Sequence, residues 1–286
     1  MGTTKKPYPF QTILTAIAYS PRLEANLNEA ARFCTLLDAK WILVHAGDRT
    51  PDKEKTLQSI LGRIPNLRKP EVVWQEGNPV EVMLDCVAKF NVDLVIAGAL
   101  QRENLLKFYV GSISREICRK CPCSVLLLTE PKSENNPLHK IVAVAPAENE
   151  APRVIEAAAY VARHYQDCDL TIVKEQRAHR LMQSLGTDPG DDAHYKEQSL
   201  KMEKEMLEED LKGCSNLEGI SFKTEILEGK PGYAINKFSR KSKADMLCIN
   251  GKEGHGGIFD RIFTNDLEYI LEDIPCTLLL VKTKNT

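Results

Sequence analysis

The sequence lacks an excess of charge of either sign, and it lacks long apolar runs. Of its 286 residues, 38 are Lys or Arg and 40 are Asp or Glu, so the formal net charge is −2. A chain without a basic field is a poor partner for DNA or RNA, and we do not expect nucleic acid as a ligand. No apolar run approaches the roughly 20 residues that cross a bilayer, and residues 1–7 lack the apolar core of a secretion signal. We therefore expect a cytoplasmic protein without a membrane anchor.

The sequence also lacks the cysteine spacing of a secreted disulfide scaffold or a zinc site. It has nine cysteines, an odd number, scattered through apolar segments of a long chain. That distribution is typical of reduced, buried thiols. Cys118, Cys121 and Cys123 lie close together, but no second Cys/His pair follows at zinc spacing. We expect no metal site there. The six histidines do not pair with Cys or Ser at a catalytic spacing, so no catalytic residue is assigned.

The first half does contain short apolar runs that alternate with helical patterns. The runs, which we interpret as strands, cover residues 13–18, 41–46, 72–74, 93–97 and 124–128. Between the first two, apolar residues recur at helical spacing: Leu23, Leu27, Ala30, Ala31, Cys34 and Leu37. Alternating strands and helices imply right-handed crossovers and a mainly parallel sheet covered on both faces. The fold class predicted is therefore α/β.

The same pattern starts again after a polar, proline-bounded linker at 130–137. Three segments recur in order, with the copies at 13–18, 76–79 and 121–128 matched at 141–145, 228–231 and 274–280. Such recurrence indicates a tandem duplication, with one domain at 1–131 and a second at 138–286. The second copy carries an insertion around 174–213, whose latter part, 194–212, has a helical pattern. A solvated helix and a dimer-contacting or lid helix both fit that pattern.

The segment from Gly98 to Ser112 has the order strand, glycine loop, helix. Backbone N–H groups at such a helix N-terminus can bind a phosphate, and Arg102 and Lys107 would add positive charge. The hydroxyl of Ser112 is expected to cap the helix. The alternative is a strand-to-helix connection whose glycines serve only the turn.

Several motifs resemble the universal stress protein family. Gly98, Gly111 and Ser112 stand at three positions of that family's Gly-x2-Gly-x9-Gly-Ser/Thr motif, with Asp93 before it and Pro122 after it. A Glu-Gly-x-Pro element occurs in both halves. The resemblance implies two open parallel-sheet domains of the adenine nucleotide alpha hydrolase-like type, each with strand order 3-2-1-4-5. Members are often dimeric, and some bind ATP whereas others do not.

Residue by residue, the resemblance implies a nucleotide site in the first domain. It comprises Ile17, Ala18, Ala46, Gly98, Gln101, Arg102, Gly111, Ser112 and Ile113. Gln101 replaces the second glycine of the motif. Ala18 replaces an aspartate that the family's nucleotide binders carry, and we assign its counterpart in the second half to Ala145.

A weaker second site is assigned to Gly251, Gly254, Thr264 and Asn265. In this half we take Gly251 and Gly254 to be the first two glycines of the family motif, whereas Thr264 and Asn265 replace its helix-opening Gly-Ser. The run containing Gly251 is not a Walker loop, because Lys252 is not followed by Ser or Thr.

These observations favour a stress-response or signalling protein that binds ATP, with Mg, or another adenine nucleotide, chiefly in the first domain and without efficient turnover. One alternative is an interaction protein with degenerate sites and no nucleotide. A second is a slow ATP hydrolase, for which the sequence shows no aligned general base. A homodimer and an intramolecular pseudo-dimer of the two domains are both compatible with the duplication.

Overall fold

The computed structural model describes residues 8–101, 108–109, 111–131, 137–146, 152–176, 193–230, 232–251 and 269–282. In the first half the elements are β1 Thr12–Ala16, α1 Leu23–Leu36, β2 Lys40–Ala46, α2 Pro51–Arg63, β3 Glu71–Gln75, α3 Pro79–Lys89, β4 Leu94–Gly98, β5 Leu100–Gln101, β6 Phe108–Tyr109, α4 Ser112–Lys120 and β7 Ser124–Leu128. In the second half they are β8 Lys140–Val144, α5 Arg153–Ala162, β9 Asp169–Glu175, α6 Ala193–Leu211, β10 Phe222–Leu227, α7 Tyr233–Lys241, β11 Met246–Asn250 and β12 Thr277–Val281.

Local chemistry explains why these segments form strands and where a helix such as α3 begins. β7 is buried along its whole length, as expected of an apolar strand that is covered on both faces. α3 begins with Pro79, and the Asn78 side chain accepts hydrogen bonds from Val80 N–H (2.9 Å) and Glu81 N–H (3.3 Å). Proline at the first helical position and asparagine at the N-cap both satisfy the groups that a helix start leaves unpaired.

The ten long strands form one sheet. Its order is β10-β9-β8-β11-β12-β7-β4-β1-β2-β3, so each half has the strand order 3-2-1-4-5 and is parallel within itself. The halves join where β7 and β12 pair antiparallel, with Leu126 opposite Leu279. Helices cover both faces, and a core cluster on each face includes residues of both halves. Because the two fifth strands pair, the single chain has the arrangement of a dimer. A homodimer of two chains stays a prediction.

Two equivalent aspartates establish which residues of the halves correspond. Asp93 Oδ2 accepts the N–H groups of Gln11 (3.0 Å) and Thr12 (2.9 Å) at the start of β1. Asp245 Oδ2 accepts those of His139 and Lys140, both at 2.9 Å, at the start of β8. Each carboxylate ties the beginning of the fourth strand of its half to that of the first strand.

This register corrects two assignments made from the sequence. Ile17 N–H donates to Val44 O (2.8 Å) and Ala145 N–H donates to Val173 O (2.7 Å), so Ala145 corresponds to Ile17, and the counterpart of Ala18 is Pro146. Ala99 N–H donates to Leu128 O (2.8 Å) and Gly251 N–H to Val281 O (2.9 Å). Gly251 therefore corresponds to Ala99, and Asn250 stands where the first half has Gly98. A shift of one residue along a strand moves every side chain to the other face, so Gly251 does not stand at the first glycine position of the motif.

The helix predicted within the insertion corresponds to α6, which packs onto the edge strand β10. Leu207 and Leu211 are buried, and the Thr224 hydroxyl donates to the Glu208 carboxylate (2.8 Å). Met202 and Met206 are exposed on the same helix. Residues 177–192 lie outside the described part of the chain. Within that part, no helix combines the length and the apolar character needed to cross a membrane.

Candidate functional site in the first domain

The candidate site lies at the carboxyl ends of β1 and β4. These strands are neighbours, and the chain leaves them towards opposite sides, which opens a crevice in doubly wound sheets. Ile17 directly follows β1, Ala46 ends β2 and Gly98 ends β4, so three of the residues expected at the site are at this edge. Ala18 follows Ile17 and is exposed.

An aromatic cluster of Tyr19, His45 and Trp74 borders the crevice at the ends of the first three strands. Tyr19 and His45 meet edge to face at 5.0 Å, and His45 and Trp74 do so at 5.2 Å. The His45 ring lies between two partners, because Nδ1 is 3.1 Å from the Ile17 carbonyl oxygen and Nε2 is 3.2 Å from Lys53 Nζ. Since a carbonyl only accepts and an ammonium group only donates, the proton is on Nδ1. Neither nitrogen is then left to serve as a general base.

Arg22 places a cation at the mouth of the crevice. It occupies the N-cap position of α1, where it makes no side-chain cap. Its guanidinium instead donates to the carbonyl oxygens of Ala99 (3.4 Å) and Thr129, which follow β4 and β7. Burial lowers the pKa of Arg22, and the nearby Glu130 carboxylate opposes this shift. The side chain thus ties the start of α1 to the ends of two strands.

Gly98, at the end of β4, is in close contact with Asn26 on α1. A Cβ on Gly98 would lie 2.7 Å from Asn26 Nδ2, so a larger residue here would force the Asn26 side chain or α1 to shift. The Asn26 side-chain oxygen is buried and has no hydrogen-bond partner in the described part of the protein. A buried acceptor without a donor is costly, so one that persists in a native structure calls for an explanation, such as a bound water or ligand that donates to it.

Two short strands after β4, β5 and β6, form a pair that the sequence did not predict. β5 and β6 pair antiparallel, with Gln101 opposite Phe108, so Gln101 belongs to a strand. Arg102 and Lys107 fall in 102–107, outside the described residues.

The opening of α4 differs from expectation in one respect. Gly111 is the N-cap, with φ −63°, a backbone conformation that any residue adopts. The prediction that the Ser112 hydroxyl caps the helix is wrong, because Ser112 is the first helical residue and α4 has no side-chain cap. Its first backbone N–H groups, those of Ser112 and Ile113 included, have no acceptor within the helix. Ile113 is 47% exposed.

In the second domain, Gly251 accommodates the stem of Lys282. A Cβ on Gly251 would lie 2.9 Å from Lys282 Cγ. The Lys282 ammonium crosses to the first domain and donates to the carbonyl oxygens of Arg119 (3.1 Å) and Cys121 (2.9 Å). Gly251 therefore serves an interdomain contact. Gly254, Thr264 and Asn265 lie outside the described residues.

Sequence reasoning missed Arg22 and Asn26. The available sign was chemical: an arginine preceding α1, where the helix dipole is positive, and a polar side chain beside the apolar stripe of Leu23 and Leu27. Metal binding finds no support among the described residues, which contain no group of three or more His, Cys, Asp or Glu that could hold an ion.

Comparison with known proteins places these features in a family. The sequence model of the universal stress protein family matches residues 9–129 and 137–282. A universal stress protein of Methanocaldococcus jannaschii is 31% identical over 86 residues, which are 30% of this chain and 45% of that relative. The chain thus spans about half the length of this curated relative.

Solved structures agree on the fold. A universal stress protein from Archaeoglobus fulgidus has a TM-score of 0.70 at 16% identity, covering 96% of this chain and 99% of the other. A protein of unknown function from Pseudomonas aeruginosa has a TM-score of 0.67 at 16% identity, covering 96% and 93%. The predicted α/β class with an open, mostly parallel sheet is confirmed.

Proposed function

Since the family model matches both halves, this chain belongs to the universal stress protein family and is a stress-response protein, and we propose that its first domain binds an adenine nucleotide. The site is the crevice between β1 and β4. The ligand is ATP, with Mg, or another nucleotide of the same chemistry, and it is held without efficient turnover.

The observation that carries the proposal is the group formed by Gly98, Asn26 and Arg22. Asn26 presents a buried acceptor oxygen without a donor, and ribose hydroxyl and adenine amino groups are donors. Arg22 supplies a planar cation of the kind that binds phosphate in a bidentate manner. The absence of a side chain at Gly98 brings the backbone close to Asn26, and Arg22 contacts the next residue, Ala99. One edge of the sheet thus offers partners for the sugar or base and for the phosphates.

The base is expected to contact main chain in place of a carboxylate. Ala18 has no group that could hold the adenine amino group, so the backbone beside Ile17 and Ala46 has to supply that contact. Losing a charged hydrogen bond reduces affinity by about tenfold or more. We therefore propose weaker binding than in a family member that keeps the aspartate.

Slow hydrolysis is a weaker proposal. The His45 nitrogens are both engaged, by the Ile17 carbonyl and by Lys53, which removes one candidate base. We propose that bound nucleotide acts as a signal and is not consumed.

A second candidate function, an interaction protein without nucleotide, is favoured by one observation. The Arg22 guanidinium already has two carbonyl acceptors, Ala99 O and Thr129 O, and so does not need a phosphate to be satisfied. In this case the outer edge strands β3 and β10 would mediate contacts, including those of a homodimer. The state of the nine cysteines, all free thiols, supports a reducing compartment such as the cytoplasm for either function.

Calorimetric titration with ATP tests the proposal and separates the two candidates. The unmutated protein should bind ATP, and Arg22→Met should weaken binding by about tenfold or more. Arg63→Met is the matched control: Arg63 is an exposed arginine paired with Glu24 on the surface, and its loss should leave binding unchanged. Ser112→Ala and Gly111→Val examine the start of α4, where a valine would obstruct the backbone N–H groups.

The results of these titrations distinguish a nucleotide-binding protein from an interaction protein without nucleotide. Absence of binding at millimolar ATP by the unmutated protein would exclude the nucleotide proposal and leave the interaction protein. Binding that persists in both Arg22→Met and Gly111→Val would place the nucleotide elsewhere. Mass spectrometry of small molecules released on denaturation gives an independent answer, because a co-purified nucleotide would be identified directly.

A further inference from the structure

A cleft of about 930 Å³ lies at the outer end of the second domain, between the end of β10 and α7. It is separate from the crevice between β8 and β11, because β9 and β8 lie between β10 and that crevice in the sheet. At the usual spacing of strands this is a distance of about 10 Å or more. None of the residues assigned to either nucleotide site lines the cleft.

Aromatic and cationic side chains line this cleft. Tyr233 and Tyr269 are 49% and 39% exposed, and their rings meet at 6.2 Å with an angle of 64°. Phe238, half-buried, adds a third ring. Lys230, Lys237 and Lys241 also line the cleft, and all three are exposed.

The wall that carries these side chains is held in place by hydrogen bonds and a salt bridge. At the start of α7, the Gly232 N–H donates to Glu175 Oε1 on β9 (2.9 Å). Near its end, Arg240 donates to the Asn236 side-chain oxygen (2.9 Å) and forms a salt bridge with Asp273 (2.7 Å). Asp273 follows the helical turn that carries Tyr269, so both tyrosines stand on elements held to one another. A cleft with fixed walls loses little entropy when a ligand binds.

The lysine charges of the cleft are not compensated by salt bridges within the described part of the chain. None of the three lysines forms a salt bridge with any residue that the structure describes. Glu228 also lines the cleft, so the lining carries three positive charges against one negative charge. A pocket that joins rings and excess cations complements an anion with an apolar body.

The first domain provides an internal control, because its corresponding surface has different chemistry. The register of β3 and β10 on their neighbours aligns Gly77 with Gly229, and both have positive φ, 140° and 131°. On the helices that follow, Tyr233 then corresponds to Glu81 and Lys237 to Asp85. The fold thus accepts acidic residues at these positions. The ring and the cation are features of the second domain and not requirements of the architecture.

We propose that this cleft binds a small organic anion with a planar apolar body, of the class of aromatic carboxylates. The planar group contacts the Tyr233 and Tyr269 rings. Its carboxylate lies at the rim among Lys230, Lys237 and Lys241. This site would give the protein a second ligand, independent of the nucleotide.

Binding of 2-naphthoate, measured by calorimetry on the full chain, tests the proposal. The unmutated protein should bind it, and the neutral analogue 2-naphthylmethanol should bind about tenfold more weakly, because the lysines favour the anion. Lys237→Asp and Tyr233→Glu, which introduce the residues of the first domain, should each weaken binding by about tenfold. Both positions are exposed, so folding should be unaffected. Bound 2-naphthoate should also protect Lys237 and Lys241 from acetylation.

Lys55→Asp is the matched control, since it reverses the charge of an exposed lysine on α2 in the first domain. It should leave the affinity unchanged. Arg22→Met should also bind 2-naphthoate normally, so a failure of the nucleotide proposal would not affect this one. The proposal is wrong if millimolar 2-naphthoate does not bind, if the neutral analogue binds equally well, or if Lys55→Asp has the same effect as Lys237→Asp.

Discussion

Gly98 and Asn26 are packed so closely that a single added methyl group would lie 2.7 Å from the Asn26 amide nitrogen. Gly98→Ala should therefore lower the free energy of unfolding by about 1–3 kcal/mol through overpacking, as measured by urea denaturation. Gly62→Ala is the control, because nothing lies within 4 Å of a Cβ there and Gly62 is inside α2. That change should stabilise the protein by about 0.5–1 kcal/mol.

The same contact predicts a trade-off at Asn26. Asn26→Ala removes a buried oxygen without a partner and improves helix propensity, so it should restore the stability of Gly98→Ala and cost nothing on its own. If Asn26 serves a ligand, the same substitution should reduce nucleotide affinity. A double variant that is no more stable than Gly98→Ala alone would show that the strain has another origin.

The starts of α3 and α4, the helices before and after β4 in the chain, allow a second prediction. Asn78 caps α3 with hydrogen bonds to two backbone N–H groups, whereas Ser112 makes no cap on α4. Asn78→Ala should destabilise the protein by about 1 kcal/mol, and Ser112→Ala should change its stability by less than about 0.5 kcal/mol. Thermal denaturation of the two variants provides the comparison. An equal loss in both would mean that Ser112 does cap its helix in solution.

The third prediction concerns Cys168, which alone among the nine cysteines is not buried. Burial, followed by the charges of Asp245 and Asp169, raises the pKa of Cys168 to about 11. At pH 8 its thiolate fraction should be about a hundredfold lower than for a thiol with a pKa near 9, so labelling by a disulfide reagent should be slow. The rate should rise about tenfold per pH unit up to pH of about 11.

Variants separate the causes of this slow reaction. Cys168→Ser should abolish the labelling of the native protein. Asp169→Asn should accelerate labelling, because it removes one of the two carboxylates that disfavour the thiolate. Asp169 is exposed, so its loss should leave the fold intact. Rapid labelling of the unmutated protein at pH 8 would contradict the raised pKa.

The strands were predictable because parallel strands buried on both faces are continuous apolar runs, whereas their order within each half was predicted from the family resemblance. β7 is an example: all five of its residues are buried, and the sequence 124–128 shows the run directly. The resemblance assigned Ile17, Ala46 and Gly98 to the site, and the structure places them at the carboxyl ends of parallel strands, which meet at one edge. The pairing of β7 with β12 was left open, because both strands look equally apolar whether they pair within one chain or between two.

The parts of the site that were missed depend on distant contacts. Arg22 acts on Ala99 and Thr129, which are 77 and 107 residues away, and nothing in its neighbourhood in the sequence indicates either carbonyl.

The assignment of Gly251 to the position of Gly98 failed for another reason. Glycines were matched by type, whereas the register is set by Asp245 at the start of β11, and a shift of one residue reverses the face.

The last prediction concerns the contact between the domains. Lys282 is only 8% exposed, and its ammonium donates to the carbonyl oxygens of Arg119 and Cys121 at the end of α4. Such carbonyls have no partner within the helix, and a cation there also interacts favourably with the helix dipole. Lys282→Met should therefore lower the free energy of unfolding by about 1.5–3 kcal/mol.

The effect should be specific to the interface. The residue of the first half that corresponds to Lys282 is Thr129, which has no ammonium group and whose carbonyl oxygen accepts from Arg22. The contact therefore has no copy across the pseudo-twofold axis, and its loss should separate the unfolding of the two domains in urea into two transitions. Lys120→Met is the control, since Lys120 is exposed at the end of the same helix and forms a salt bridge with Glu116 of that helix. It should cost less than about 0.5 kcal/mol. A single transition with an equal loss in both variants would mean that the shared sheet alone holds the domains together.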